Sequence, residues 1–254
     1  MHEQLSQSVT ADTSAAVAKS SQTEVALERL MGLAVFGEKV AARTYAKMAD
    51  LEPRWAALLT KFAAMEAHHG ASFLKVSRQN GVEPDRDFAD GEIGYLIAQV
   101  DDHAAAGDFD ALAIIQGFIV ESLAIATYEP FLEIADDYPG AREAFSTALN
   151  EELYHVEWIT RYLRLRYFDA ENELLDLAQR VNVQGIDCVG GTLMNIADSL
   201  ETIGMSGADC AGAMMDGYSG LLERVGLEPR DAIKNVVSLF VPLMAKYRRG
   251  ERTK

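Results

Sequence analysis

Apolar or small residues recur at three- and four-residue spacing along most of this chain, the period of helices with one buried face. Between residues 23 and about 50 the stripe runs Leu27, Leu30, Met31, Ala34, Ala41, Tyr45 and Met48. Ser21 and Thr23 are both competent to cap its start. Pro53 suits the first turn of a second helix, whose stripe of Trp55, Leu59, Phe62, Phe73 and Val76 ends at Asn80-Gly81. The short loop between them makes these two helices antiparallel neighbours.

A helical segment around 93–100 follows, then a small break near Gly107, then a stripe from about 110 to 128 through Ala111, Ile114, Phe118, Ile125 and Tyr128. Pro130 is expected to kink or end that helix, because it removes a backbone donor, and Tyr138-Pro139-Gly140 reads as a turn. A long helix over about 141–167 points Phe145, Ala148, Ile159 and Leu163 inward. Weaker patterns at 172–182, 186–203, 206–224 and 230–247 predict shorter helices packed around the first set, the last opened by Pro229. With 6 Pro and few alternating β-branched runs, the class is all-α.

Residues 1–21 are mostly Ser, Thr, Gln and Ala, too poor in large apolar side chains to offset the entropy of ordering, and read as a flexible tail before one domain over 22–250. The net charge of -16 argues against nucleic acid or an anionic membrane as the main partner, and leaves small neutral substrates, cations and basic proteins. Cys188 and Cys210 lie in no metal-ligand spacing and read as reduced and structural. With no signal-peptide pattern and no uninterrupted apolar span, the expected location is the cytoplasm.

The chemistry lies inside the stripes. Glu38 falls four residues after Ala34 and three before Ala41, where a helix presents its side chain to the core. Glu66 and His69 are three apart, so about 60° apart around a helix and roughly 4.5 Å along it, and both can grasp one ion. Glu152 and His155 repeat this between Ala148 and Ile159, and Glu121 sits three residues after Phe118. Two lone Glu and two Glu-x-x-His on four long helices form the ligand set of ferritin-like di-iron or di-manganese proteins. The expected architecture is therefore a ferritin-like four-helix bundle core with additional C-terminal helices, holding two iron ions, with manganese the alternative. Buried carboxylates facing one another without cations or shared protons would nearly cancel the stability of a domain.

Glu151 could replace Glu152 as a ligand, although the stripe favours Glu152. His68 points about 100° away from His69, and His2 and His103 sit in polar surroundings. Tyr45 and Tyr128, each two turns after a lone Glu, suit core packing, hydrogen bonding to a ligand, or radical chemistry. The small-residue stretch 204–220 could border a substrate cavity or simply allow close helix packing.

The sequence also resembles the cyanobacterial aldehyde-deformylating oxygenases over about residues 25–240. The likeness is carried by Met65-Glu66 with His69 and Phe73, Ile115-Gln116 leading to Glu121, Ala124-Ile125-Ala126 with Tyr128, Ala135-Asp136-Asp137, and Glu152-Leu153-Tyr154-His155. The resemblance implies conversion of a long-chain fatty aldehyde to an alkane or alkene plus formate. It also implies dioxygen, an electron donor such as ferredoxin with its reductase, and a hydrophobic tunnel to the metals. All six ligand positions carry over. The departures are a longer segment between Glu121 and His155, Glu92, Ile93 and Gly94 in place of aromatic residues, and Leu123 in place of a phenylalanine. They touch the expected channel and leave room for two other readings: a di-iron hydroxylase or N-oxygenase acting on a different small molecule, or an iron-storage protein.

Overall fold

The computed structural model describes residues 2–248, with side chains described from residue 21 onward except at some positions within 182–187 and 239–248. Among the described residues every regular element is helical: α1 (His2–Leu51), α2 (Ala56–Gln79), α3 (Arg86–Ala105), α4 (Phe109–Ile114), a π-helical stretch (Ile115–Val120), α5 (Glu121–Ile134) closing in a 3-10 turn (Ala135–Asp137), α6 (Ala141–Arg166), α7 (Glu171–Asn195), α8 (Ala197–Thr202), α9 (Gly207–Val225) and α10 (Pro229–Arg248). The expected flexible tail over 1–21 falls almost entirely on residues whose side chains lie outside those described.

The all-α, ferritin-like expectation holds. Helices α1, α2, α6 and the continuous rod from α4 through α5 form a four-helix core, in which α1 pairs with α2, α5 with α6, and α2 with α6. Helix α3 lies on α1, α7 covers α3 and the π stretch, α9 packs on α5, and α10 rests on α7 and α9. Turn chemistry places these elements: Asp85 accepts the Phe88 N–H at 2.9 Å to cap α3, and Asp108 accepts the Ala111 N–H at 3.1 Å to cap α4. Gly140, at φ 81°, takes the left-handed conformation that reverses the chain into α6. The rod is apolar and long enough to cross a membrane, yet 72% of its apolar window is buried inside the molecule, as in a core helix.

Three local expectations are corrected. Ser21 and Thr23 do not start α1; the helix runs through both. Pro130 does not end its helix, because its fixed φ is helix-compatible and the loss of one backbone bond is outweighed by packing on either side. Tyr128 and Phe131 clamp the Phe145 ring at centroid distances of 5.2 and 4.4 Å. The break expected between the patterns 172–182 and 186–203 falls later, at Ile196, between α7 and α8. The chain is one helix through Gly185, whose missing side chain admits Ile119: a Cβ there would stand 2.7 Å from Ile119 Cδ1.

Candidate metal centre

Glu38 comes from α1, Glu66 and His69 from α2, Glu121 from the first turn of α5, and Glu152 and His155 from α6; all six side chains are buried. They form two overlapping groups whose ligand atoms lie within 4.8 Å of one another: Glu38, Glu66, His69 and Glu152, and Glu66, Glu121, Glu152 and His155. Glu66 and Glu152 belong to both groups, and each divides its oxygens between them. Glu66 places Oε2 3.3 Å from His69 Nδ1 and Oε1 3.0 Å from His155 Nδ1. Glu152 places Oε1 3.2 Å from His69 Nδ1 and Oε2 3.0 Å from His155 Nδ1. Glu38 and Glu121 stand at the two ends, 3.7 Å from His69 Nδ1 and 3.8 Å from His155 Nδ1. Each group could hold a metal ion, with Glu66 and Glu152 contributing to both.

Neighbouring side chains hold the end carboxylates. Tyr45 donates to Glu121 Oε1 at 2.8 Å, Tyr128 donates to Glu38 Oε1 at 2.5 Å, and Gln116 donates to Glu121 Oε1 at 3.1 Å. Of the roles open to the tyrosines, hydrogen bonding to these carboxylates is the one the geometry displays. Gln116 was not singled out for a role in the sequence, and the reason is geometric. Residues five apart on an α-helix point about 140° away from each other, and only the wider π winding brings Gln116 over Glu121.

Glu151 faces away from the shared cluster and accepts at 2.7 Å from Nε2 of His69, so it backs an imidazole where Glu152 enters the cluster. His68 is exposed. His103 lies 3.6 Å from Asp108 at the start of α4.

Burial pushes the Glu38 carboxyl up to about 8, against a hydrogen bond from His69 and helped by the charge of Glu66. Burial, then the charges of Glu152 and Glu66, raises Glu121 well above the carboxylate range. The imidazoles move the other way from what burial alone dictates: hydrogen bonds to Glu152 and Glu66 overcome it and push His155 up to about 9, and His69 is raised by Glu152, Glu38 and Glu66. Tyr45 and Tyr128 are raised well above 10.0, first by burial and then by the charges of Glu121 and Glu38, so both remain neutral donors.

These residues fit divalent metal on their own structural evidence. Glu66 Oε1 and Glu152 Oε1 lie 3.0 and 3.2 Å from an imidazole nitrogen, but among the described residues neither has a well-aligned hydrogen-bond partner, a costly state for buried carboxylates that a divalent cation would relieve. Oxygen and imidazole donors without thiolate suit iron or manganese.

An apolar cavity of about 140 Å³ reaches this cluster and includes Glu38, Glu121 and Glu152 in its lining. Elsewhere its wall is built from α1, α3, the π stretch, α5, α6, α7 and the α8 region, through side chains such as Leu27, Leu96, Phe131, Val189, Leu200 and Met205. Two lining threonines turn their hydroxyls to backbone carbonyls, Thr127 to Leu123 at 2.9 Å and Thr192 to Cys188 at 3.1 Å. Ile93 and Leu123, two of the departures noted in the sequence, line it as well. Of the stretch 204–220 only Met205 does. Gly207 instead packs against Ala197, where a Cβ would stand at 2.9 Å.

The family model described as long-chain fatty aldehyde decarbonylase matches residues 20–240. Among solved structures, the chain is similar to a protein from Synechococcus with aldehyde deformylating oxidase activity, at 26% identity and a TM-score of 0.81, covering 87% of this chain and 98% of that one.

Proposed function

Because the chain belongs to the long-chain fatty aldehyde decarbonylase family, we propose that it removes the aldehyde carbon of a long-chain aliphatic aldehyde, as formate, at the cluster of Glu38, Glu66, His69, Glu121, Glu152 and His155. It is an aldehyde-deformylating oxygenase. Our reading assigns the six side chains as ligands of two iron ions, with manganese the alternative, and takes dioxygen and a one-electron carrier such as ferredoxin with its reductase as co-reactants. The observation that carries it is the apolar cavity whose lining includes three carboxylates of the cluster. Family membership disfavours the hydroxylase, N-oxygenase and iron-storage readings.

The bound ions would supply the redox chemistry and the activation of dioxygen. The chain's own residues do the rest. The cavity wall takes up an alkyl chain and excludes water, and because the Thr127 and Thr192 hydroxyls are bonded to carbonyls it offers the chain a surface of methyl groups. The carboxylates of Glu38, Glu121 and Glu152, the acidic part of the cavity's lining, fix where the aldehyde head must lie. Tyr45, Tyr128 and Gln116 keep the end carboxylates in place. We read the working unit as residues 22–250 and its location as the cytoplasm.

The test is reconstitution with ferrous iron under anaerobic conditions, followed by a reducing system, oxygen and a mixture of medium- to long-chain aldehydes. The expected products are formate and hydrocarbons one carbon shorter, both lost in Glu121→Ala. Oxygen uptake without either product would remove the aldehyde from the reading.

A further inference from the structure

The two imidazoles of the cluster are held differently on their outer edges. Nε2 of His69 lies 2.7 Å from Oε2 of Glu151, a carboxylate 33% exposed on α6. Among the described residues, Nε2 of His155 is buried with no hydrogen-bond partner, and the rings of Phe62 and Tyr45 stand against its imidazole at centroid distances of 4.4 and 5.2 Å. Both imidazoles turn Nδ1 toward the shared carboxylates.

A neutral imidazole that binds a cation through Nδ1 must carry its proton on Nε2. At His69 that N–H has an acceptor waiting, and the carboxylate behind it both fixes the ring and makes Nδ1 a better donor. At His155 the same N–H has no acceptor among the described residues. The end carboxylates add to the difference: Glu121 Oε1 already accepts from two donors, Tyr45 and Gln116, whereas Tyr128 is the donor recorded on Glu38 Oε1. Each extra donor draws electron density away from a carboxylate that is to face a cation.

We infer that the two metal positions are unequal: the position formed by Glu38, Glu66, His69 and Glu152 fills first and holds its ion more tightly than the position formed by Glu66, Glu121, Glu152 and His155, and Glu151 is the positioning residue that creates much of the gap. This rests on the metal-centre reading given above. The cluster is therefore a graded pair, in which a half-loaded protein carries its ion on the His69 side.

The experiment is a calorimetric titration of metal-free protein with Mn²⁺, which reads binding and not turnover. Two resolved binding events are expected. Glu151→Ala should weaken the tighter event by roughly tenfold or more, in line with the effect of removing a carboxylate behind a ligating histidine, and leave the weaker event in place. Glu151→Gln keeps an acceptor and loses the charge, so its effect should fall between wild type and Glu151→Ala; a purely structural role would not grade this way. The assignment follows from single-site backgrounds: sensitivity to Glu151→Ala should persist in Glu121→Ala and vanish in Glu38→Ala. Two equal events, or an effect of Glu151→Ala confined to the weaker event, would overturn the inequality while leaving the metal centre standing. No Mn²⁺ binding by the wild-type chain would overturn both.

Discussion

The Tyr45 hydroxyl on α1 donates to Oε1 of Glu121 on α5 at 2.8 Å, and the reverse bond joins the same two elements, from Tyr128 on α5 to Glu38 on α1 at 2.5 Å. Each tyrosine stands seven residues after the carboxylate of its own helix, so the two helices run antiparallel and exchange one donor each across the cluster. The end carboxylates are thus fixed by the opposite helix, which couples the geometry of the site to the closure of the bundle.

Removing either hydroxyl should loosen both. Tyr128→Phe and Tyr45→Phe preserve ring packing and leave a buried carboxylate oxygen short of a donor, a loss of about 1–3 kcal/mol. Urea unfolding of each metal-free variant should show a lower midpoint with an unchanged slope. Unfolding midpoints equal to wild type would mean that the hydroxyls carry no stability.

The metal-free fold should weaken as pH rises, and divalent ions should reverse the trend. Glu38 is raised from 4.5 to about 8, so the stability tied to its protonated form is complete below about 4.5 and lost as pH rises through about 8. His155, raised from 6.5 to about 9, likewise contributes stability present below about 6.5 and lost through about 9. Metal binding must displace these protons, so its stabilising effect grows with pH. Thermal unfolding with and without Mn²⁺ between about pH 5.5 and 8.5 should show a widening gap in Tm; a gap that narrows would contradict these proton positions.

Gly117, in the π stretch, should not accept a methyl group. A Cβ there would meet Ile159 Cδ1 at 2.4 Å and its Cβ at 2.9 Å, so rotating the isoleucine cannot clear the space. Gly117→Ala should destabilise by about 1–3 kcal/mol, and Ile159→Ala in the same chain should restore part of the loss. Independent, additive effects of the two changes would show that they do not meet.

Filling the cavity beside the cluster should separate substrate from metal. Ala124 lines the cavity three residues after Glu121, and Ala124→Trp is expected to depress turnover of long aldehydes at least tenfold while metal content stays at the wild-type value. Product profiles across chain lengths, with metal analysis alongside, test this. Equal loss for all chain lengths together with lost metal would place the effect at the cluster.

The sequence by itself determined which faces of the long helices are buried and which side chains those faces bring inward. Glu66 with His69, Glu152 with His155, and the stripes holding Glu38 and Glu121 were legible because a 3.6-residue period is a local property, set by residues within two turns of one another. The resemblance to the aldehyde-deformylating family was legible for a similar reason, since its motifs are short and local. Only the tertiary structure decided the rest. That Glu66 and Glu152 face both imidazoles, that Glu151 backs His69, and that each tyrosine serves the opposite helix all depend on how far one helix is slid and rotated against another, which spacing along one helix does not record. The π stretch, the continuity of α7 through Gly185, and the apolar cavity follow from packing between segments far apart in the chain. Contacts among Ile119, Gly185, Gly117 and Ile159 overrode the local signals there, because close packing constrains backbone approach more strongly than propensity does.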